Sequence, residues 1–322
     1  MKSEPEITVV VPLYNEELNL LAFFAELDGV MKARKEPFEI IFVNDGSTDN
    51  SEKILLDIAK GNSHVKVISL RENLGKARAL EHGFNLVNGS KVIIIDCDLQ
   101  YDPKDIQTLV SKMNEGYDVV SGKRVSRADT KDVVLTSIFF RWVVKRLSGL
   151  QFVDYFSGLK CFRTSVILQL DLKGDLNRIF SVYAYRVGFK VCEVPVTHRL
   201  RAAGKSRYNF LSRLKLAAND LIVLFYSITI GKENLYKFGL LGLLILSLGL
   251  LMLMAFLCVP SYLTTDEYFK NLVNRTGLFL VFIGAQLRIF EVVGKEFIGR
   301  LYREGDAWKS NIKSIYNSDP PP

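Results

Sequence analysis

The chain has 322 residues, 48% of them hydrophobic and 24% charged, which is apolar material for a substantial core and about two domains of ordinary size. That composition excludes disordered, collagen-like and mini-protein scaffolds. The formal net charge of +7 is concentrated in two stretches: Lys123, Arg124, Arg127, Lys131, Arg141, Lys145 and Arg146 are accompanied only by Asp129 and Asp132, and Arg199, Arg201, Lys205, Arg207, Arg213 and Lys215 by no acid at all. Such stretches suit phosphates and anionic head groups; with few interleaved aromatics and no recognition module, nucleic acid is not an expected partner. Cys97, Cys161, Cys192 and Cys258 are scattered without metal or CxxC spacing and fit reduced thiols. Glu4, Pro5 and Glu6 precede the first strand-like run, unlike a signal peptide, so the first 230 residues are expected to face the cytosol.

In chain order, short non-alternating runs rich in Val and Ile at 7–11, 39–43, 65–70 and 92–95 predict strands buried on both faces. Helical stretches at 16–35, 51–60, 75–87 and 103–115 lie between and after them, and this alternation predicts an open, mostly parallel sheet with helices on both faces. Segment 133–147 carries Arg141, Lys145 and Arg146 on its polar side and predicts an amphipathic helix, set in a membrane interface or packed on the sheet. Segment 209–230 begins with Arg213, Lys215, Asn219 and Asp220 and turns almost wholly apolar, as a ramp into a bilayer would. Residues 238–259 contain no charge and would span about 33 Å as a helix, enough for a bilayer core. After a polar loop at 260–275, a second apolar stretch at 276–293 is interrupted by Arg288 and Glu291, three apart and able to pair. A hairpin would return Arg300, Arg303, Lys309 and Lys313 to the cytoplasmic side; an interfacial or re-entrant second segment is the alternative. The expected organisation is a globular domain over 1–208, a juxtamembrane helix over 209–234, a hairpin over 235–298 with spans at 235–259 and 276–298, and a basic tail over 299–322.

Polar residues at the strand ends are where ligands of such a sheet collect. Asp96 and Asp98, separated by Cys97, follow the fourth strand and can converge on one hard cation that bridges diphosphate oxygens, though acidic strand ends are often only solvated turns. PLYNEE ends the first strand and VNDGSTDNS the second; the latter reads as a turn and N-cap, or as a nucleoside pocket with Tyr14 as a flat apolar face and Asp45 as a hydrogen-bond acceptor. RENLGKA opens a helix after the third strand.

Together with DCDLQ, GKR at 122–124, DYFSGLKCFR at 154–163, HRLRAAGKSRY at 198–208 and GKEFIGRLYRE at 294–304, these motifs resemble the inverting family 2 glycosyltransferases that act on polyprenyl phosphates. That group includes dolichyl-phosphate mannose synthases and the bacterial undecaprenyl-phosphate sugar transferases with two C-terminal transmembrane helices. The resemblance implies a GT-A-like α/β fold, a UDP- or GDP-sugar donor, a polyprenyl-phosphate acceptor, Mg²⁺ or Mn²⁺, and a place in the bacterial inner membrane with the catalytic domain cytoplasmic; self-association into a homo-oligomer is left open. It implies that Pro12, Tyr14, Glu16, Val43, Asp45 and Asp96 line the nucleotide, that Asp98 and Gln100, with Asp96, hold the metal, and that Arg124, Arg201 and Ser206 meet the phosphates of donor or acceptor. Asp154 is a base on family grounds or, equally, a carboxylate that orients Arg or Lys. Asn44, Cys97, Lys160 and Arg207 stand where the family often has Asp, Ala, Arg and Lys. Two other readings compete. A processive polysaccharide synthase would carry QxxRW, but Ile138 precedes Arg141-Trp142 at the Gln position; a catalytically silent nucleotide-sugar-binding scaffold would not need both carboxylates and Gln100.

Overall fold

The computed structural model describes residues 4–125, 131–170, 179–200, 218, 221, 224–225, 231–258, 267–302 and 311–317. They form two compact units, one of residues 1–224 with 301–322 and one of residues 225–300. Arg201, Ser206, most of the expected juxtamembrane helix and the start of the 260–275 loop lie outside the described residues.

The first unit is built on an eight-stranded sheet in the order β7-β5-β6-β4-β1-β2-β3-β8. Its strands are β1 (Ile7–Leu13), β2 (Phe38–Asn44), β3 (Val65–Leu70), β4 (Lys91–Ile94), β5 (Val119–Arg124), β6 (Lys160–Arg163), β7 (Val191–Val196) and β8 (Ile312–Asn317). β1 runs parallel to β2 and β4, β2 to β3, and β5 to β7, whereas β6 is antiparallel to both β4 and β5, and β8 to β3. Six strands therefore deliver their carboxyl ends to one edge, and β6 begins there at Lys160. The antiparallel β6 and β8 make the sheet mixed, though mostly parallel as the alternation predicts.

Burial on both faces explains the uniform apolar runs. Val9 and Val11 of β1 pack with Ile40 and Phe42 under α1 (Leu20–Lys32), α2 (Ser51–Gly61) and α4 (Ile106–Asn114). Val10 packs with Ile41, Val43 and Ile68 under α3 (Lys76–Phe84), α6 (Thr164–Leu170) and α7 (Phe180–Val187). α1 starts at Leu20, later than the apolar period suggests, because the Glu16 and Glu17 N–H groups donate to the Ser51 and Asp49 side chains instead of opening a helix. The basic amphipathic segment is helix α5 (Lys131–Ser148), in which Phe140 and Val144 are buried while Ile138 and Trp142 are exposed.

The second unit is a pair of helices, α8 (Gly231–Cys258) and α9 (Glu267–Tyr302). Their segments Leu235–Leu257 and Asn271–Glu296, with mean hydropathies of 2.7 and 1.7, are long and apolar enough to cross a membrane. Leu244, Leu251, Leu257, Phe279 and Phe282 are all more than half exposed, which suits lipid better than a soluble core. α9 begins at Glu267, so the polar loop is shorter than 260–275. The helices run antiparallel at close range: a Cβ on Gly242 would lie 3.0 Å from the Gly284 carbonyl, and one on Gly249 would lie 2.8 Å from that of Gly277. Arg288 and Glu291 do pair, and Lys295 joins them on the same buried Glu291 carboxylate.

Candidate active site

The edge where six strands end gathers most of the sequence-predicted residues. Pro12 of β1 is the register partner of Val43 of β2, both buried, and Leu13 accepts a hydrogen bond from the Asp45 N–H at 2.9 Å. Two residues past the last β1–β4 pair, Val10 with Ile94, come Pro12 and Asp96. Tyr14 and Glu16 follow directly and are half-buried. Side chains stitch the loops after β1 and β2 together: Asn15, at φ 55°, donates its N–H to Ser47 Oγ at 2.9 Å and accepts the Thr48 N–H at 2.8 Å.

Asp45 is buried, and its two carboxylate oxygens accept the N–H groups of Leu74 (2.8 Å) and Gly75 (2.9 Å) in the loop after β3. Gly46 sits at φ 65° with Asn73 N 2.7 Å from where a Cβ would stand, so only glycine lets the β2 and β3 loops close on each other. Asp45 thus ties the β2 end of the strand edge to the loop after β3.

At the β4 end, Asp96 pairs with Lys76 at the start of α3, and Asp98 Oδ1 accepts the Gln100 N–H at 3.1 Å across Leu99, which adopts φ 61°. A left-handed leucine stores strain, and such outliers cluster at functional sites. Cys97 reports the local field: burial pushes its thiol well above the usual range, and Glu16, Asp98 and Asp96 push it further. Three carboxylates therefore share one partly buried corner. Burial works against the Lys76 charge, but Asp96 outweighs it and holds the ammonium above the usual lysine range. The Lys76 ammonium is a cation standing at the carboxylate pair, which is the place a divalent ion fits. Among the described residues no three His, Cys, Asp or Glu side chains converge as a metal cage. Mg²⁺ or Mn²⁺ bound by one or two carboxylates and substrate phosphates needs none.

Contacts of Gly158, Tyr101 and Arg199 that the sequence did not reveal complete the corner. The Gly158 N–H donates to the buried Tyr101 hydroxyl at 2.8 Å, and Gly158 lies so close to Asp96 that a Cβ would overlap its carboxylate. Tyr101 stacks edge-on against His198 at 5.3 Å, and the Arg199 N–H donates to the Gln100 carbonyl at 2.7 Å. The Arg199 guanidinium bridges Asp102 and Glu26 at 2.6 and 2.8 Å. Only the neighbouring motifs DCDLQY, FSGLK and HRLR hint at these contacts.

Arg124 and the buried Asp154 form a bidentate pair, Nε to Oδ2 at 2.6 Å and Nη2 to Oδ1 at 2.8 Å, and the Asp154 N–H is itself held by Glu193 Oε1 at 2.7 Å. Burial pushes the Tyr101 hydroxyl up while the Arg124 charge pulls it down. Lys160 is buried at the start of β6 with Nζ 3.3 Å from the Tyr155 carbonyl.

A family profile described as glycosyl transferase family 2 matches residues 8–167. The undecaprenyl-phosphate 4-deoxy-4-formamido-L-arabinose transferase of Photorhabdus laumondii is 28% identical over 300 residues, covering 93% of this chain and 90% of the relative; that of Klebsiella pneumoniae is 29% identical with the same coverage. Among solved structures, glucosyl-3-phosphoglycerate synthase from Mycobacterium tuberculosis, in complex with Mn²⁺, UDP and glucosyl-3-phosphoglycerate, superposes with a TM-score of 0.53 at 20% identity, covering 70% of this chain and 80% of that one.

Proposed function

Residues 8–167 are a glycosyl transferase family 2 domain, and from that premise we propose that the chain transfers a sugar from a nucleotide-diphosphate sugar to undecaprenyl or a related polyprenyl phosphate, with inversion. One observation carries the reading. Relatives that align over 93% of the chain, its two apolar helices included, are named undecaprenyl-phosphate sugar transferases. A soluble acceptor would not require those helices.

In this reading Tyr14, Pro12, Val43 and Asp45 take the nucleoside, and Asp96, Asp98 and Gln100 hold Mg²⁺ or Mn²⁺, which supplies electrostatic stabilisation to the departing diphosphate. Lys76 leaves Asp96 for a donor phosphate oxygen. The acceptor phosphate is largely dianionic near pH 7 and needs orientation more than deprotonation, which Arg124, steadied by Asp154, and Arg201 provide. The bidentate Arg124–Asp154 pair supports a positioning role for Asp154, because both of its oxygens are engaged. Asp98→Ala should abolish metal-dependent transfer of labelled sugar from UDP- and GDP-linked donors to undecaprenyl phosphate while leaving the folded protein intact, and EDTA should reproduce it. Full activity of Asp98→Ala in excess chelator would overturn the assignment.

The same reading places the sheet unit on the cytoplasmic face of the bacterial inner membrane, with α8 and α9 as a hairpin. A cysteine at position 265 should react with an impermeant thiol reagent in intact cells and one at position 310 only after permeabilisation; labelling of both in intact cells would refute the hairpin.

A further inference from the structure

β8 is the last described element of the chain, separated from the rest of its own sheet by the whole second unit. It adds to the edge of the parallel array by pairing antiparallel with β3, from Lys66 with Asn317 to Leu70 with Ile312, with an irregularity at Ser69–Leu70. That irregularity turns the strand so that Tyr316 packs on the α1 side of the sheet and Ile312 on the α3 side. Past the ladder, the Arg71 N–H donates to the Asn311 carbonyl at 3.0 Å, and the Lys313 ammonium reaches Glu52 in the first turn of α2 at 2.8 Å.

Arg71 is where the β3 loop begins. Three residues on, Leu74 and Gly75 give their N–H groups to the Asp45 carboxylate; the next residue, Lys76, holds Asp96. Glu72 and Asn73 are packed against Gly46. The loop is exposed from Arg71 to Asn73 and Leu74 packs on the α3-side core, so the position of its exposed part depends on what holds its two ends. Asp45 and Gly46 hold one end, and the C-terminal strand holds the other.

We infer that β8 is a positioning element for the donor pocket: through Asn311 and the β3 edge it fixes the loop of residues 71–76, and through that loop Asp45 and Lys76. This rests on the reading that Asp45 and Lys76 serve the nucleotide-sugar donor. Because the strand follows the second unit in the chain, the pocket is complete only after both apolar helices have been made. A strand that merely covered the sheet edge would instead stabilise β1 to β3 uniformly and leave the loop no more affected than the core.

The full-length protein in detergent, a chain ending at Ser310 and the full-length variant Ile315→Pro are compared by amide hydrogen exchange and by donor kinetics, with a chain ending at Asn317 as the control. In both perturbed proteins the amides of Leu74 and Gly75 should exchange at least about tenfold faster, and the donor KM should rise about tenfold with kcat within about twofold, as loss of one anchoring hydrogen bond would give. A peptide of residues 309–318 added in trans should lower the KM of the chain ending at Ser310. Unchanged exchange at Leu74 and Gly75 would overturn the inference, as would an equal rise throughout β1 to β3. Faster loop exchange with donor KM untouched would leave the brace standing and refute the placement of the donor at Asp45.

Discussion

Gly158→Ala tests whether the carboxylate corner is built to the tolerance that the structure shows. A Cβ there would overlap Asp96 Oδ2 and stand 2.9 Å from its Cγ and 3.0 Å from Tyr101 Cε2. Ordinary carbon contacts lie at about 3.5–4.0 Å, so the Asp96 carboxyl has to retreat by roughly 0.6–1 Å. Gly158 does not use a left-handed backbone conformation, so the perturbation is purely steric. Tyr101 cannot absorb it freely, because its hydroxyl accepts the Gly158 N–H and its ring is backed by His198. Overpacking of this kind costs about 1–3 kcal/mol of stability. Misplacement of a positioned group by about 1 Å costs on the order of 10²-fold in rate. The assay is label transfer to undecaprenyl phosphate over a range of Mn²⁺ concentrations, with thermal unfolding in detergent alongside. Gly29→Ala, inside α1 where a Cβ meets nothing within 4 Å, serves as the control and should leave transfer unchanged while stabilising the protein by up to about 1 kcal/mol. Transfer by Gly158→Ala within about twofold of the parent, with the same Mn²⁺ dependence, would refute the reasoning, since a displacement near 1 Å cannot be that cheap.

Lys76→Met removes the cation that competes for Asp96, so Mn²⁺ should bind the nucleotide-free protein up to about tenfold more tightly while donor KM rises; an unchanged Mn²⁺ affinity by electron paramagnetic resonance would contradict this. Asp154→Asn replaces the buried acceptor of the Arg124 fork and should cost roughly 1–3 kcal/mol in thermal unfolding and more than about tenfold in acceptor use, with donor KM little changed. Glu39 is buried, which opposes its charge, but hydrogen bonds from Lys66, Thr8 and Asn88 hold its carboxyl below the ordinary glutamate range. Its contribution to stability is therefore present above about pH 4.5 and lost as pH falls through the lowered folded value. Glu39→Gln should be less stable at pH 7 yet lose less on acidification, and parallel stability profiles for the two proteins would refute it.

The parts of the fold that were legible in the sequence are those with one strong local cause. β1 to β4 announce themselves because burial on both faces demands unbroken Val and Ile, and the strand ends announce themselves because ligand edges are polar. β1 outruns its apolar run only because Pro12 and Leu13 still find partners in Val43 and Asn44. β6 is four residues long, β7 carries Pro195, and β8 alternates weakly, so pairing rather than composition decides them. The site divides the same way. The carboxylates and Arg124 stand in readable motifs, whereas the Lys76–Asp96 pair, the Gly158–Asp96 approach and the Arg199–Gln100 bond join residues far apart in sequence.

Two independent kinds of reasoning converge on the hairpin. Charge at the outer flanks of the apolar stretches favours a return to the starting side, but the energies behind that preference are modest and summed over many exposed residues. The pairing of β8 with β3 is a stronger constraint, because a strand cannot join a sheet across a bilayer. Since the chain enters the second unit from the sheet unit and re-enters the sheet unit after it, any membrane crossing between the two must come in even number. Among the described residues two helices are long enough to cross, and a pair of crossings satisfies that condition. The cluster of Arg288, Glu291 and Lys295 fits that count. It lies close to the end of the second span that leads back to the sheet, where Lys295 also rests on the Tyr236 ring at 3.9 Å, near the start of the first. In the proposed topology these charges and the aromatic sit at one membrane interface, because a hairpin brings the entry of one helix and the exit of the other to the same face.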